Sequence, residues 1–133
     1  MKQVFKEAEL QSRFEKAVEM NETFRKAVAM EVNLSDAQSI LSAIETLVNN
    51  LYIGATAKAM FDYLLSKSMA QKVIGIKDET LGANEKKALL AAEVGDVSFY
   101  DKLCEYLIRE SHYKLDSLRS ALSYLKSEVQ NLN

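Results

Sequence analysis

His112 and Cys104 are the only histidine and the only cysteine in the chain. An imidazole beside a thiol would make a base–nucleophile pair, and either group could ligate a metal. Their spacing argues against both. Eight residues separate them on one helical stretch, about 12 Å along a helix axis and beyond hydrogen-bond reach. Arg109 stands three residues before His112, so the Glu-x-x-His pairing of di-iron bundles is missing. No zinc-ligand spacing occurs, and GANEKK from Gly82 reads as a helix start, not a phosphate-cradling loop. The carboxylates sit beside Lys or Arg, as on solvated helix faces. The expectation is a non-enzymatic protein with no metal, cofactor or small-molecule substrate, a half-buried Cys104 and a surface His112.

Cations and rings are patterned more tellingly. Tyr63 to Lys77 contains no acid and three lysines: Lys67, Lys72 and Lys77. Lys86 and Lys87 follow. Further on, Lys102, Tyr106, Arg109 and Tyr113 recur at steps of four, three and four, which places them on one helix face. That face continues through Ser117 and Ser120 to Tyr124. Cations interleaved with aromatics suit single-stranded nucleic acid, because cations track phosphates and rings stack on bases. The plainer alternative is that the tyrosines flank the core while Lys102 and Arg109 pair with Glu105 and Asp101. Glu105 and Glu110 would also repel phosphate.

These residues need long helices to position them. The chain has no proline and only four glycines in 133 residues, and proline is what helix interiors exclude. Apolar spacing predicts a first helix from about Lys2 into Val28–Glu31, weakly broken at Asn21. Ser35 and Gln38 have capping-box spacing, with Asp36 in the first turn. A second helix runs to about Val73, its phase surviving Gly54. Ile74 to Ala83 reads as a loop, Glu85 to Glu93 as a short helix capped by Asn84, and Gly95-Asp96 as its end. Ser98 opens the final helix, which covers 98–131. The whole is one all-α domain over 1–133, an antiparallel helical bundle or a long helical hairpin with an extended C-terminal helix.

The final helix carries a heptad seam: Leu115, Leu118, Leu122, Leu125, Val129 and Leu132. Such a stripe serves either an intrachain core or an oligomer interface, and a long terminal helix in so small a chain favours a homo-oligomer. The net charge of −2 counts against a dedicated duplex-DNA binder. No apolar run reaches transmembrane length. The first residues carry acids where a signal peptide needs an apolar run, and a single cysteine suits a reducing cytosol. The expectation is therefore a cytoplasmic protein with no membrane partner.

Two stretches, GANEKKALLAA (82–92) and KLDSLRSALSYLKSE (114–128), together resemble a group of small phage-encoded helical proteins similar to the UvsY recombination mediator. The pattern falls here on Leu115, Asp116, Leu118, Arg119, Leu122, Ser123, Leu125, Lys126 and Glu128. The resemblance covers about the last 50 residues. It implies a ring-like or other homo-oligomer that binds single-stranded DNA and/or a recombinase, which it helps to load, in the host-cell cytoplasm; the residues expected to touch the strand, Lys67, Lys72, Lys77, Lys102, Tyr106, Arg109 and Tyr113, come from the cation and ring pattern above. The alternative is a helical protein-interaction module, such as a phage inhibitor, adaptor or assembly chaperone, with no nucleic-acid binding. The two diverge on one point. Lysines of the 67–87 region that share a face with Lys102 and Arg109 favour DNA; lysines that scatter favour the interaction module.

Overall fold

The computed structural model describes residues 2–75, 82–85, 88 and 94–132, with the side chains of 71–75 and 132 outside that description. It is all-α: α1 spans Ala8–Val28, α2 Ala37–Gly75 and α3 Gly95–Leu132. At 1.5 Å per residue α2 and α3 are each close to 60 Å long and α1 about 30 Å. Every pair of the three packs together. Phe14 of α1 meets Phe61 of α2, and Val97 and Cys104 of α3 join the same cluster. At the other end Ile40 and Leu47 of α2 meet Leu115 and Leu118 of α3, with Val28 of α1 beside them. Early α1 therefore faces late α2, and early α2 faces late α3. The bundle is antiparallel, up-down-up.

Several element ends differ from the sequence expectation. Residues 2–7 are not helical. The Gln11 side chain accepts the amides of Val4 and Phe5, both at 2.9 Å, and its Nε2 donates to the Lys2 carbonyl. This fold-back drives Phe5 into the core, where its ring meets Phe14 edge-on at 5.9 Å. Asn21 does not break α1; it is buried mid-helix. Asp36, not Ser35, caps α2: its Oδ1 accepts the Gln38 amide at 3.1 Å. Ser35 is engaged with Asn33 Oδ1 through both its amide and its hydroxyl. Gly95 opens α3 instead of closing a preceding helix, three residues before the expected start at Ser98. Residues 83–85 are helical, and most of the expected loop at 74–83 and short helix at 85–93 lies outside the described residues.

α2 passes through Gly54 without interruption. The glycine is there for packing. A Cβ at this position would stand 2.5 Å from the Phe24 ring of α1, and the Cys104 thiol of α3 donates to the Gly54 carbonyl at 3.3 Å. Helical propensity disfavours glycine by roughly 1 kcal/mol; the close approach of two neighbouring helices offsets that. A second tie runs from α3 to α1. Lys114 Nζ donates to the carbonyls of Val28, at 2.7 Å, and Met30. A cation there satisfies open carbonyls and complements the negative helix end.

Candidate interaction surfaces

The inner face of α3 is closed. Val97, Cys104, Ser111, Leu115 and Leu118 are buried. Asp101 is also buried and accepts from Lys58 Nζ of α2 at 2.8 Å, while Asp62 accepts from the same ammonium at 2.9 Å. Burial works to lower the Lys58 pKa, but the hydrogen bonds to Asp101 and Asp62 outweigh it and hold the ammonium above the ordinary lysine value. Burial pushes the Asp101 carboxyl up, while Lys58 and Asp101 hold Asp62 below the usual carboxylate range against its own desolvation. Cys104 is fully buried, not half-buried, and burial raises its thiol pKa to about 11. His112 is exposed on the same helix. The two groups therefore point apart. Among the described residues, no group of three or more His, Cys, Asp or Glu side chains lies together as a metal site.

The outer face is open, and it is the face that the Lys102–Tyr113 spacing marks. Along its midline stand Phe99, Lys102, Tyr106, Arg109, Tyr113, Ser117, Ser120 and Tyr124, all exposed. The four rings are 61%, 52%, 60% and 64% exposed. Phe99, Tyr106 and Tyr113 recur every seven residues, about 10.5 Å apart along the axis. Phe99 is a member that sequence reasoning missed. The signal was its place seven residues before Tyr106. Its ring rests edge-on against Tyr100, at 5.3 Å, and Tyr100 packs on the core cluster. Tyr124 closes the ridge, with its phenol pKa held above the ordinary value by a hydrogen bond to Glu128.

The expected pairing of Lys102 and Arg109 with Glu105 and Asp101 does not occur. Asp101 turns inward to Lys58. Among the described residues Lys102 and Arg109 make no hydrogen bond or ion pair. They stand between the rings. Glu105 and Asp116 are exposed beside them and Glu110 is half-buried.

Lys67 is exposed on α2, one helical turn beyond Tyr63. Tyr63 belongs to the α1-facing side of α2. The Arg13 guanidinium of α1 lies over its ring at 5.5 Å, and both line a groove of about 450 Å³ with Lys16, Thr56 and Met60. Lys67 therefore does not share a face with Lys102 and Arg109. The Lys72 side chain and all of Lys77, Lys86 and Lys87 lie outside the described residues.

The leucine seam divides in two. Leu115 and Leu118 are 3% and 2% exposed, packed within the chain against Ile40, Ala43 and Leu47. As packed, these two serve the intrachain core, one of the two roles such a stripe can have. Leu122 and Leu125 are half-buried at the edge of this cluster, and Val129 is 60% exposed. With Ala37 and Leu41 these three line a shallow groove of about 330 Å³ between the start of α2 and the end of α3. The Leu132 side chain lies outside the described residues.

Among the described residues no helix is long and apolar enough to cross a membrane. No protein-family model, no curated protein and no solved structure matches the chain.

Proposed function

We propose that this chain is a non-enzymatic helical protein-interaction module and that the outer ridge of α3 is its binding surface. One observation carries the reading: three rings at heptad spacing alternate with two cations that have no partner among the described residues. Tyrosine and arginine are the residue types enriched where binding energy concentrates in protein interfaces. Large rings supply area at low entropic cost. Arginine supplies a planar cation that stacks on rings and grips carboxylates. A helix carrying such residues at a and d spacing suits a partner helix laid along it.

A second reading is a phage accessory protein, similar to a recombination mediator, that binds single-stranded DNA and/or a recombinase as a homo-oligomer. The free cations between rings favour it. Against it, Lys67 lies on another side of the bundle, acids flank the ridge, and the net charge is −2. The acids would repel phosphate, so few counterions would be released on binding.

Fluorescence anisotropy with a labelled single strand at low salt separates the two. The interaction-module reading expects no binding by the native protein. Salt-sensitive binding lost in Arg109→Glu would instead establish the nucleic-acid reading. The positive arm is capture from host extract on the native protein and on Tyr106→Ala/Arg109→Ala. A partner held by the first and not by the second supports the ridge; equal capture by both removes it as a surface for a different protein.

A further inference from the structure

We infer that the helix which covers this ridge is the α3 of a second copy, lying antiparallel to the first. The inference rests on the interaction-module reading and names its partner. Phe99, Tyr106 and Tyr113 occupy the a positions of the exposed seam, and Lys102, Arg109 and Asp116 the d positions. In an antiparallel pair, a of one helix meets d of the other. With the two-fold axis between Leu107 and Ile108, Tyr106 of one copy meets Arg109 of the other. Tyr113 meets Lys102, and Phe99 meets Asp116. A two-fold interface repeats every contact, so four ring–cation pairs form, each with a cation brought to an aromatic face. The acid falls against Phe99, whose ring edge carries the positive end of the quadrupole.

The flanking charges select this register. Glu105 of one copy faces His112 of the other, a complementary or neutral pair. A shift by one heptad in one direction sets Glu105 against Glu105; a shift in the other direction sets Glu110 against Glu110. Like charges opposed across an interface are unfavourable. Parallel packing would set Arg109 against Arg109 and Lys102 against Lys102, for the same penalty. The ridge is thus self-complementary in one arrangement, the antiparallel one.

The area fits a reversible dimer. Rings 52–61% exposed have roughly 100 Å² each left to bury. With the stems of Lys102 and Arg109 the pair buries about 1,000 Å², at the lower edge of specific interfaces. Association should therefore depend on concentration.

Sedimentation velocity of the full chain from about 1 µM to 1 mM is the test, joined to disulfide trapping. The native protein should pass from monomer to dimer. Arg109→Glu should raise the dissociation constant about tenfold or more, since the two-fold axis counts each lost pair twice. Mixed Lys102→Cys and Tyr113→Cys proteins should link into a heterodimer, while neither links to itself. These positions are exposed, and unchanged circular dichroism will show that each variant folds. A native chain monomeric throughout the range would overturn the inference while leaving the extract capture to judge the ridge as a surface for another protein. A dimer insensitive to Arg109→Glu, or self-linking of each cysteine variant, would overturn it too.

Discussion

On its inner face α3 lays Val97, Cys104, Ser111, Leu115 and Leu118 against α1 and α2. On its outer face it carries Phe99, Tyr106, Tyr113 and Tyr124, more than half exposed. The polar groups differ in the same way. Inside, Asp101 has Lys58, Cys104 has the Gly54 carbonyl and Ser111 has the Ile108 carbonyl. Outside, Lys102 and Arg109 have none among the described residues. The helix is one amphipathic element with two apolar stripes. One stripe is satisfied by this chain, and the other is exposed and is the surface proposed above to receive a partner. An exposed ring taken singly needs no explanation; a spaced row of them with free cations between does.

The sharpest contrast comes from truncating each face. Leu118→Ala should cost about 2–5 kcal/mol of stability, the range for a deleted core leucine, read from urea denaturation. A loss below about 0.5 kcal/mol, the scale of surface changes, would show that Leu118 is not part of a packed core.

A pH titration probes the inner face next. The Cys104 thiol pKa is raised from 9.0 to about 11. The folded state therefore holds its proton more tightly than the unfolded state. The contribution is full below pH 9 and is lost as pH rises from about 9 through about 11. It amounts to roughly 2–3 kcal/mol. Cys104→Ala should melt with a flatter pH dependence across that window than the native protein. Identical slopes would mean that the thiol is not shielded as described.

Gly54→Ala should destabilise by about 1–3 kcal/mol, because the added methyl meets the Phe24 ring and overpacks the α1–α2 contact. Stabilisation, as helical propensity alone would give, would show that the ring yields freely.

The outer face should respond least. Tyr106→Ala and Arg109→Ala should each change stability by no more than about 0.5 kcal/mol in the monomer. A core-sized loss from either would erase the distinction between the two faces.

Much of this contrast is legible in the sequence, because both stripes obey the helical period. The steps from Lys102 to Tyr113 place those residues on one face, and the structure has them exposed on it. The unbroken phase across Gly54 foretells one long α2. What periodicity cannot supply is which stripe meets which neighbour. Leu115 and Leu118 continue the same seam as Val129, yet only the first two lie beneath α2. Lys58 and Asp101 are 43 residues apart, so no local pattern could take Asp101 away from Lys102. The N-terminal segment has helical apolar spacing, but one glutamine side chain satisfies its amides in another conformation. Such local competition for backbone groups decides element ends.

The measurement that bears most directly on the central claim is the melting temperature as a function of protein concentration. It should be run on the native chain and on Tyr106→Ala/Arg109→Ala/Tyr113→Ala. A folded state stabilised by self-association melts higher as concentration rises. The native protein should give a rising curve and the triple variant a flat one, the two meeting at the dilute limit. A variant that melts well below the native protein even at the dilute limit would show that the ridge holds up the fold. Two flat, coincident curves would show that no second copy covers it.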